Sequence, residues 1–361
     1  MNVRESGNIQ LFESMQRRKV MPSLITGGAG FIGSHLCEAL LARGGQVIIL
    51  DDLSTGSMEN IRHLQKNPQL HCVFDSMMNP RALADLVHRA DTIYHLAAAV
   101  GVRRIIDTPV RTIETNVRGT ELVLECAARK GRTVFVASTS EVYGKNASMP
   151  FREDDDVVLG PSTKSRWSYA ASKHLDEFLA LAYWKEKNLP VVIGRLFNTV
   201  GPRQTGRYGM VLPTFVCQAL ENAPITVYGT GQQKRCFGSV TDVVEAIIRL
   251  VSCRRALGEV VNIGNDEEIS IEQLAFLVRE RTQSASPIHL IPYDQAYAPG
   301  FEDMQRRVPC VEKLVSLTGF RPTTPLRVVI DQVAAYWRAE RSRLPTSLNI
   351  STAPKSQRDT T

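Results

Sequence analysis

Three glycines spaced three apart, Gly27, Gly30 and Gly33, lie between a short apolar run, Leu24-Ile25, and an amphipathic stretch from Ser34 to Arg43 with apolar residues at 36, 39 and 40. A Gly44-Gly45 break follows, then a second apolar run from Gln46 to Leu50 that ends in Asp51-Asp52. Strand, glycine turn, helix, strand and acid, in that order, constrain the fold more than any other feature of the chain. The first glycine permits a tight turn, the second lets backbone approach a pyrophosphate, and the third lets the helix pack on the strand. The anion then meets a helix N-terminus, where unpaired N–H groups and the helix dipole favour negative charge. Phe31 and Ile32 belong to the same cradle. Asp51 can accept both ribose hydroxyls and would repel a 2′-phosphate, so the unit predicts NAD rather than NADP.

The alternation continues along the chain. Residues 92–96, 133–137 and 191–193 read as strands, with helices over about 111–130 and 168–187. Strands separated by helices imply a parallel sheet covered on both faces. Further helices are expected at 240–252, 270–282 and 325–341, and a strand at 259–263. The predicted fold class is α/β, a Rossmann-type doubly wound parallel sheet with a smaller C-terminal substrate-binding lobe. Residues 21–198 with about 236–264 form the dinucleotide-binding domain, and about 199–235 with 265–338 form the lobe. Residues 1–20 read as a polar N-terminal extension and 344–361 as a flexible tail.

Composition removes several classes. The 361 residues carry a net charge of +6, but the two ends, 1–20 and 338–361, hold +2 and +3 of it. The remainder is left near neutral, without the basic face that a nucleic-acid partner needs. The longest apolar runs are a few residues, far short of the ~20 needed to span a bilayer. The first twenty residues mix both charges and lack the apolar core of a secretion signal. Seven cysteines, an odd number without a CxxC pair, read as reduced thiols of a cytoplasmic protein. The histidines show no metal-ligand spacing, so no metal is expected.

Chemistry is carried by two further segments. In Ser168-Tyr169-Ala170-Ala171-Ser172-Lys173, residues 169 and 173 are i and i+4 and share one helix face. An ammonium beside a phenol favours phenolate, so Tyr169 can serve as a general base and Lys173 can also hold the nicotinamide ribose. Ser138-Thr139-Ser140-Glu141-Val142-Tyr143-Gly144 directly follows the strand at 133–137. Ligands of open parallel sheets bind beyond the carboxyl ends of the strands. That puts Thr139, Ser140 and Glu141 where a substrate meets the nicotinamide, as hydroxyl donors and a carboxylate base.

In this order and spacing the three elements resemble the extended short-chain dehydrogenase/reductase family that modifies nucleotide sugars, over roughly residues 21–338. Other matching stretches are Asp75 after a strand, His95-Leu96-Ala97-Ala98, Thr115-Asn116-Val117-Arg118-Gly119-Thr120, Arg195 to Arg203, Tyr228 to Phe237, and Asn262-Ile263-Gly264. The resemblance implies Asp75 at the adenine and Leu96, Ala97 and Asn116 beside the cofactor. It implies Asn198, Arg235 and Arg307 at the diphosphate of a UDP-sugar, with Tyr228 near the base or ribose and Arg235 a charge partner for the chemistry. Relatives oxidise C4 of the sugar and then epimerise, dehydrate or decarboxylate. Thr139-Ser140-Glu141-Val142-Tyr143-Gly144, Gly160-Pro161, Arg166-Trp167 and Gln233 to Phe237 are similar to the UDP-glucuronic acid decarboxylases, including the decarboxylase domain of the polymyxin-resistance enzyme. The resemblance therefore implies loss of CO2 from a UDP-glucuronate, with re-reduction to UDP-xylose or release of the 4-keto product. A UDP-sugar 4-epimerase is the alternative. A non-catalytic scaffold is the third reading, disfavoured because Tyr169, Lys173 and Glu141 are all present. The family also implies a homodimer formed through the helices at 111–130 and 168–187. The loop Val100 to Ile106, which shapes the sugar pocket in relatives, matches neither decarboxylase group.

Overall fold

The computed structural model describes residues 21–101, 108–206, 209–292, 295, 304 and 306–343. Both tails and most of the loop Val100 to Ile106 lie outside the described residues. Six short apolar runs form β1 (Ser23–Thr26), β2 (Val47–Leu50), β3 (Leu70–Val73), β4 (Thr92–His95), β5 (Thr133–Thr139) and β6 (Val191–Leu196). Shorter strands follow: β7 (Thr199–Val200), β8 (Ile225–Tyr228), β9 (Lys234–Cys236), β10 (Gly238–Ser239), β11 (Glu259–Ile263), β12 (Glu268–Ser270), β13 (Ile288–Ile291) and β14 (Arg306–Arg307). The helices are α1 (Phe31–Ala42), α2 (Pro80–His88), α3 (Pro109–Ala128), α4 (Trp167–Lys187), α5 (Val211–Leu220), α6 (Val240–Ser252), α7 (Ile271–Thr282), α8 (Glu312–Thr318) and α9 (Leu326–Arg343).

Seven strands pair in parallel in the order β3-β2-β1-β4-β5-β6-β11. Neighbouring side chains on a strand point to opposite faces, so a sheet covered on both sides needs an apolar residue at every position. β2 meets this with Val47-Ile48-Ile49-Leu50, all buried. Ile25 and Ile49 pack with Leu36 and Cys37 of α1 and Val243 and Ile247 of α6. Leu24 and Ile48 face the other way, onto Leu83 and Leu86 of α2, Val123 and Leu124 of α3 and Ala180 of α4. Each such side chain contributes about 1.5–3 kcal/mol of burial.

The smaller lobe has its own apolar cluster, with Leu212 and Phe215 of α5, Leu274 and Val278 of α7, and Val329 and Ile330 of α9. A three-stranded sheet places β9 between β12 and β14. β9 and β14 run parallel in the register Lys234 to Arg306 and Arg235 to Arg307.

The turn after β1 requires its glycines. Gly27 has φ +73°, and a Cβ there would lie 2.9 Å from the Ala97 nitrogen. A Cβ on Gly33 would lie 2.1 Å from the Gly27 carbonyl oxygen, a backbone atom that cannot swing aside. At Gly30 the nearest atom would be that same oxygen at 3.1 Å, with no other neighbour within 4 Å. Gly33 is thus the packing glycine and Gly30 faces open space. We expect Gly33→Ala to lower stability by about 1–3 kcal/mol through overpacking, read by denaturant unfolding. Gly30→Ala should cost less stability and act mainly on cofactor affinity.

Candidate active site

The cradle forms where β1 passes into α1. Gly30 occupies the N-cap of α1 without a side-chain cap, so the first-turn N–H groups at Phe31 and Ile32 are presented to an anion. Asp51 stands at the end of β2, nearly buried. Its Oδ2 accepts from the Ala29 N–H at 2.9 Å and its Oδ1 from the Leu53 N–H at 2.8 Å. Burial pushes this carboxyl above its usual range, against the pull of those backbone donors. Asp75 follows β3 and accepts from the Ser76 N–H and the Asn79 amide at 2.7 and 2.8 Å. Leu96 and Ala97 bind back to β1, through the Thr26 carbonyl (3.2 Å) and hydroxyl (3.3 Å). An uncapped helix N-terminus, a buried carboxylate 18 residues beyond Gly33 and a second acid after β3 fit an NAD molecule. Asn116 stands behind this surface, fully buried. Its Oδ1 accepts from Ala99 N–H (2.8 Å) and its amide donates to Ser172 Oγ (3.1 Å), so it braces the loop after β4 against α4.

Tyr169 and Lys173 lie on the inward face of α4. That face also buries Ala170, Ser172, Asp176, Glu177 and Ala180. The last residue of β5, Thr139, caps the turn Ser140–Tyr143 by accepting from the Glu141 N–H at 3.2 Å. Its hydroxyl also bonds the Tyr169 phenol. The turn rests on a buried aromatic group of Tyr143, Phe151 and Phe197, with the Tyr143 hydroxyl donating to Asn262 Oδ1 at 2.7 Å. Ser140 is buried and Glu141 half-buried. The structure therefore gathers Tyr169, Thr139 and Glu141 at the carboxyl ends of the strands.

One expectation fails. The sequence predicts that Lys173 lowers the Tyr169 pKa. Instead burial raises it well above the ordinary tyrosine value, Glu141 and Asp176 add to the rise, and the Thr139 hydrogen bond only partly opposes it. The reason is geometric: the Lys173 ammonium turns to Asp176, with Nζ 2.7 Å from Oδ2.

The guanidinium that reaches Glu141 belongs to Arg307, at 3.4 Å between Nη1 and Oε1, a contact that the resemblance did not imply for either arginine. Arg235 donates to the Lys234 carbonyl at 2.8 Å and lies beside Arg307 across the β9–β14 ladder. Both are nearly buried, and the buried Arg307 Nε has no partner among the described residues. Arg306 points outward and grips Glu268 of β12 through two bonds of 2.6 and 2.9 Å. Asn198 donates to the Cys236 carbonyl at 2.9 Å, tying the end of β6 to β9. Tyr228 ends β8 and is exposed.

Sequence reasoning passed over Asp176 and the Glu177–Arg195 pair, which the fold buries beside Lys173. Asp176 could have been found, because i+3 from Lys173 and i+7 from Tyr169 is the same helix face. Glu177 is bound by Arg195 at 2.8 and 3.0 Å and by the Ser138 hydroxyl. Burial alone would raise its carboxyl, but bonds from His174, Arg195 and Ser138 together bring it down to about 2.

Residues 23–264 match the model of the NAD dependent epimerase/dehydratase family. The chain is 40% identical over 316 residues to UDP-N-acetyl-alpha-D-glucosaminuronate decarboxylase of Bacillus cytotoxicus, covering 87% of this chain and 97% of the relative. It is 38% identical over 314 residues to UDP-glucuronic acid decarboxylase 4 of Arabidopsis thaliana, covering 86% and 67%. Among solved structures it is similar to UDP-glucuronic acid 4-epimerase from Bacillus cereus in complex with UDP-glucuronic acid and NAD, with TM-score 0.80, 28% identity, and 89% and 100% of the two chains covered. No described helix is long and apolar enough to cross a membrane. Deleting one oxygen with Tyr169→Phe should leave NAD affinity nearly unchanged and slow nucleotide-sugar oxidation by about 10²–10⁴-fold, read by NAD titration and by absorbance of the reduced nicotinamide.

Proposed function

The chain belongs to the NAD dependent epimerase/dehydratase family, and we propose that within it the protein is a UDP-uronate decarboxylase acting on UDP-glucuronate or its 2-N-acetyl counterpart. The observation that carries this reading is the Glu141–Arg307 pair set beside Tyr169 and Thr139. It provides a carboxylate and a buried cation next to the base that would work at C4. The relatives named as UDP-sugar decarboxylases support the same reading.

Direct loss of CO2 from a uronate would leave electrons with no acceptor. A ketone at C4 places the C6 carboxylate β to a carbonyl, which takes them up. Bound in the cradle of Gly27, Gly30, Phe31, Ile32, Gly33, Asp51, Asp75, Leu96 and Ala97, NAD supplies the hydride acceptor for that oxidation. Tyr169 takes the C4 hydroxyl proton, and Thr139 shares the proton through its hydrogen bond. Lys173 lies one helical turn from Tyr169 and serves the ribose. Ser140 and Glu141 face the C6 carboxylate and then the enolate. Arg307 balances the negative charge of Glu141 without gripping the departing carboxylate, since tight ground-state binding would hinder departure of neutral CO2. Arg235 and Arg307, adjacent and nearly buried, suit bidentate contact with the diphosphate. Asn198 and Tyr228 complete the nucleotide side. The dinucleotide then rests on 21–198 with about 236–264, and the sugar nucleotide on about 199–235 with 265–338. The seven free cysteines suit a reducing cytoplasm.

Incubating the protein with NAD and each C6-labelled UDP-uronate should release labelled CO2 and yield a UDP-pentose or its 4-keto form. Formation of UDP-galacturonate without CO2 would convert the assignment to a 4-epimerase, the reading that the similarity to the Bacillus cereus structure supports. Saturable binding without turnover would leave a scaffold. The exposed Val110 and Ile113 of α3 and Leu175 and Phe178 of α4 support a homodimer in which these helices meet a second copy. Ile113→Glu with Phe178→Glu should halve the mass read by light scattering; an unchanged mass would rule out this interface.

A further inference from the structure

Lys173 and Asp176 form an ion pair almost wholly removed from water, with side-chain exposures of 3% and 0%. A buried charge persists only if paired and hydrogen-bonded. Beside the pair lies a chain of polar groups. Ala97 N–H reaches Thr26 Oγ1 at 3.3 Å, Thr26 Oγ1 lies 2.8 Å from His95 Nδ1, and His95 Nε2 lies 3.1 Å from Thr120 Oγ1. The Thr120 hydroxyl, on the far side of His95, lowers the pKa of the Asp176 carboxyl against the effect of burial, while Asp176 Oδ1 has no hydrogen-bond partner among the described residues. Ala97 N–H can only donate, so Thr26 Oγ1 accepts from it. Burial, and secondarily Lys173, lower the His95 pKa to about 3.

We propose that Asp176 is the positioning residue of the catalytic lysine, holding the Lys173 ammonium on α4 through their buried 2.7 Å contact. The assignment rests on the catalytic reading of Tyr169 and Lys173. Asp176 also sets the field at the phenol. The groups facing the pair are Tyr169 and Glu177 on α4, Thr120 on α3 and His95 on β4, and Glu141 after β5 faces Tyr169. Glu177 is engaged by Arg195 and His95 is neutral. The carboxylates acting on Tyr169 are Glu141 and Asp176, both of which raise its pKa.

Asp176→Asn keeps the shape and removes the charge. The acid limb of kcat/KM for nicotinamide reduction should then move to lower pH by about half to one unit, and Kd for NAD should rise about tenfold as Lys173 loses its anchor. Asp176→Glu should keep the limb at the parent position. A limb that stays put in the Asn variant, or moves equally in the Glu variant, overturns the proposal. If the Asn variant does not fold, Lys173→Met with Asp176→Asn decides. Recovery of folding in the double variant shows that the two charges compensate each other, and failure there assigns Asp176 a packing role alone. The NAD titration separates this inference from the functional one. A parent protein that reduces no NAD with any UDP-sugar defeats the enzymatic reading, while the Asn variant's NAD affinity still tests the anchor.

Discussion

The site depends on the placing of charge where water is scarce. α4 is an ordinary covering helix along most of its length, yet on one face it sinks Lys173, Asp176 and Glu177 among Ala170 and Ala180. Each isolated ion there would cost several kcal/mol of desolvation. Lys173 is compensated within the helix by Asp176, and Glu177 across the sheet by Arg195. With these internal pairs, the outward remainder of the site can be left electrostatically incomplete. Burial raises the Tyr169 pKa, and the buried Arg307 has a nitrogen without a partner among the described residues. Such groups respond to an arriving ligand because they are not already satisfied.

Much of the fold was legible because it is written locally. The strand–glycine–helix–strand unit occupies fewer than thirty consecutive residues. The helices expected at 240–252 and 270–282 match α6 and α7 to within a residue, and the strand at 259–263 is β11. The expected strand at 133–137 runs on to Thr139, because the proposed catalytic threonine is itself the last ladder residue beside Leu196. The two-residue strand β14 was not legible, since two residues show no periodicity. Its partner β9 lies some seventy residues earlier.

The chemistry divides along the same line. Tyr169 and Lys173 are visible because helical spacing puts them together. Glu141 and Arg307 are 166 residues apart, and only the folded lobe brings them within 3.4 Å. The resemblance named both arginines for the diphosphate and paired neither with Glu141. Spacing alone could not tell which guanidinium faces the turn after β5. The pKa of Tyr169 was misjudged for a related reason. Proximity of Lys173 was read from the helix, but competition from Asp176 depends on how deeply both side chains sink.

The outward pair Arg306–Glu268 bears on this in an unexpected way. An exposed ion pair adds at most about 1 kcal/mol of stability. A strand of two residues, however, has almost no ladder to fix its own phase, and a slip of one position would turn Arg307 to solvent and Arg306 inward. Clamped to β12 by two bonds, Arg306 acts as an indexing pin on the outside of the molecule. It works with the backbone bonds between Phe151 and Val308 and Cys310, so the same segment is held from outside and inside while Arg307 reaches Glu141.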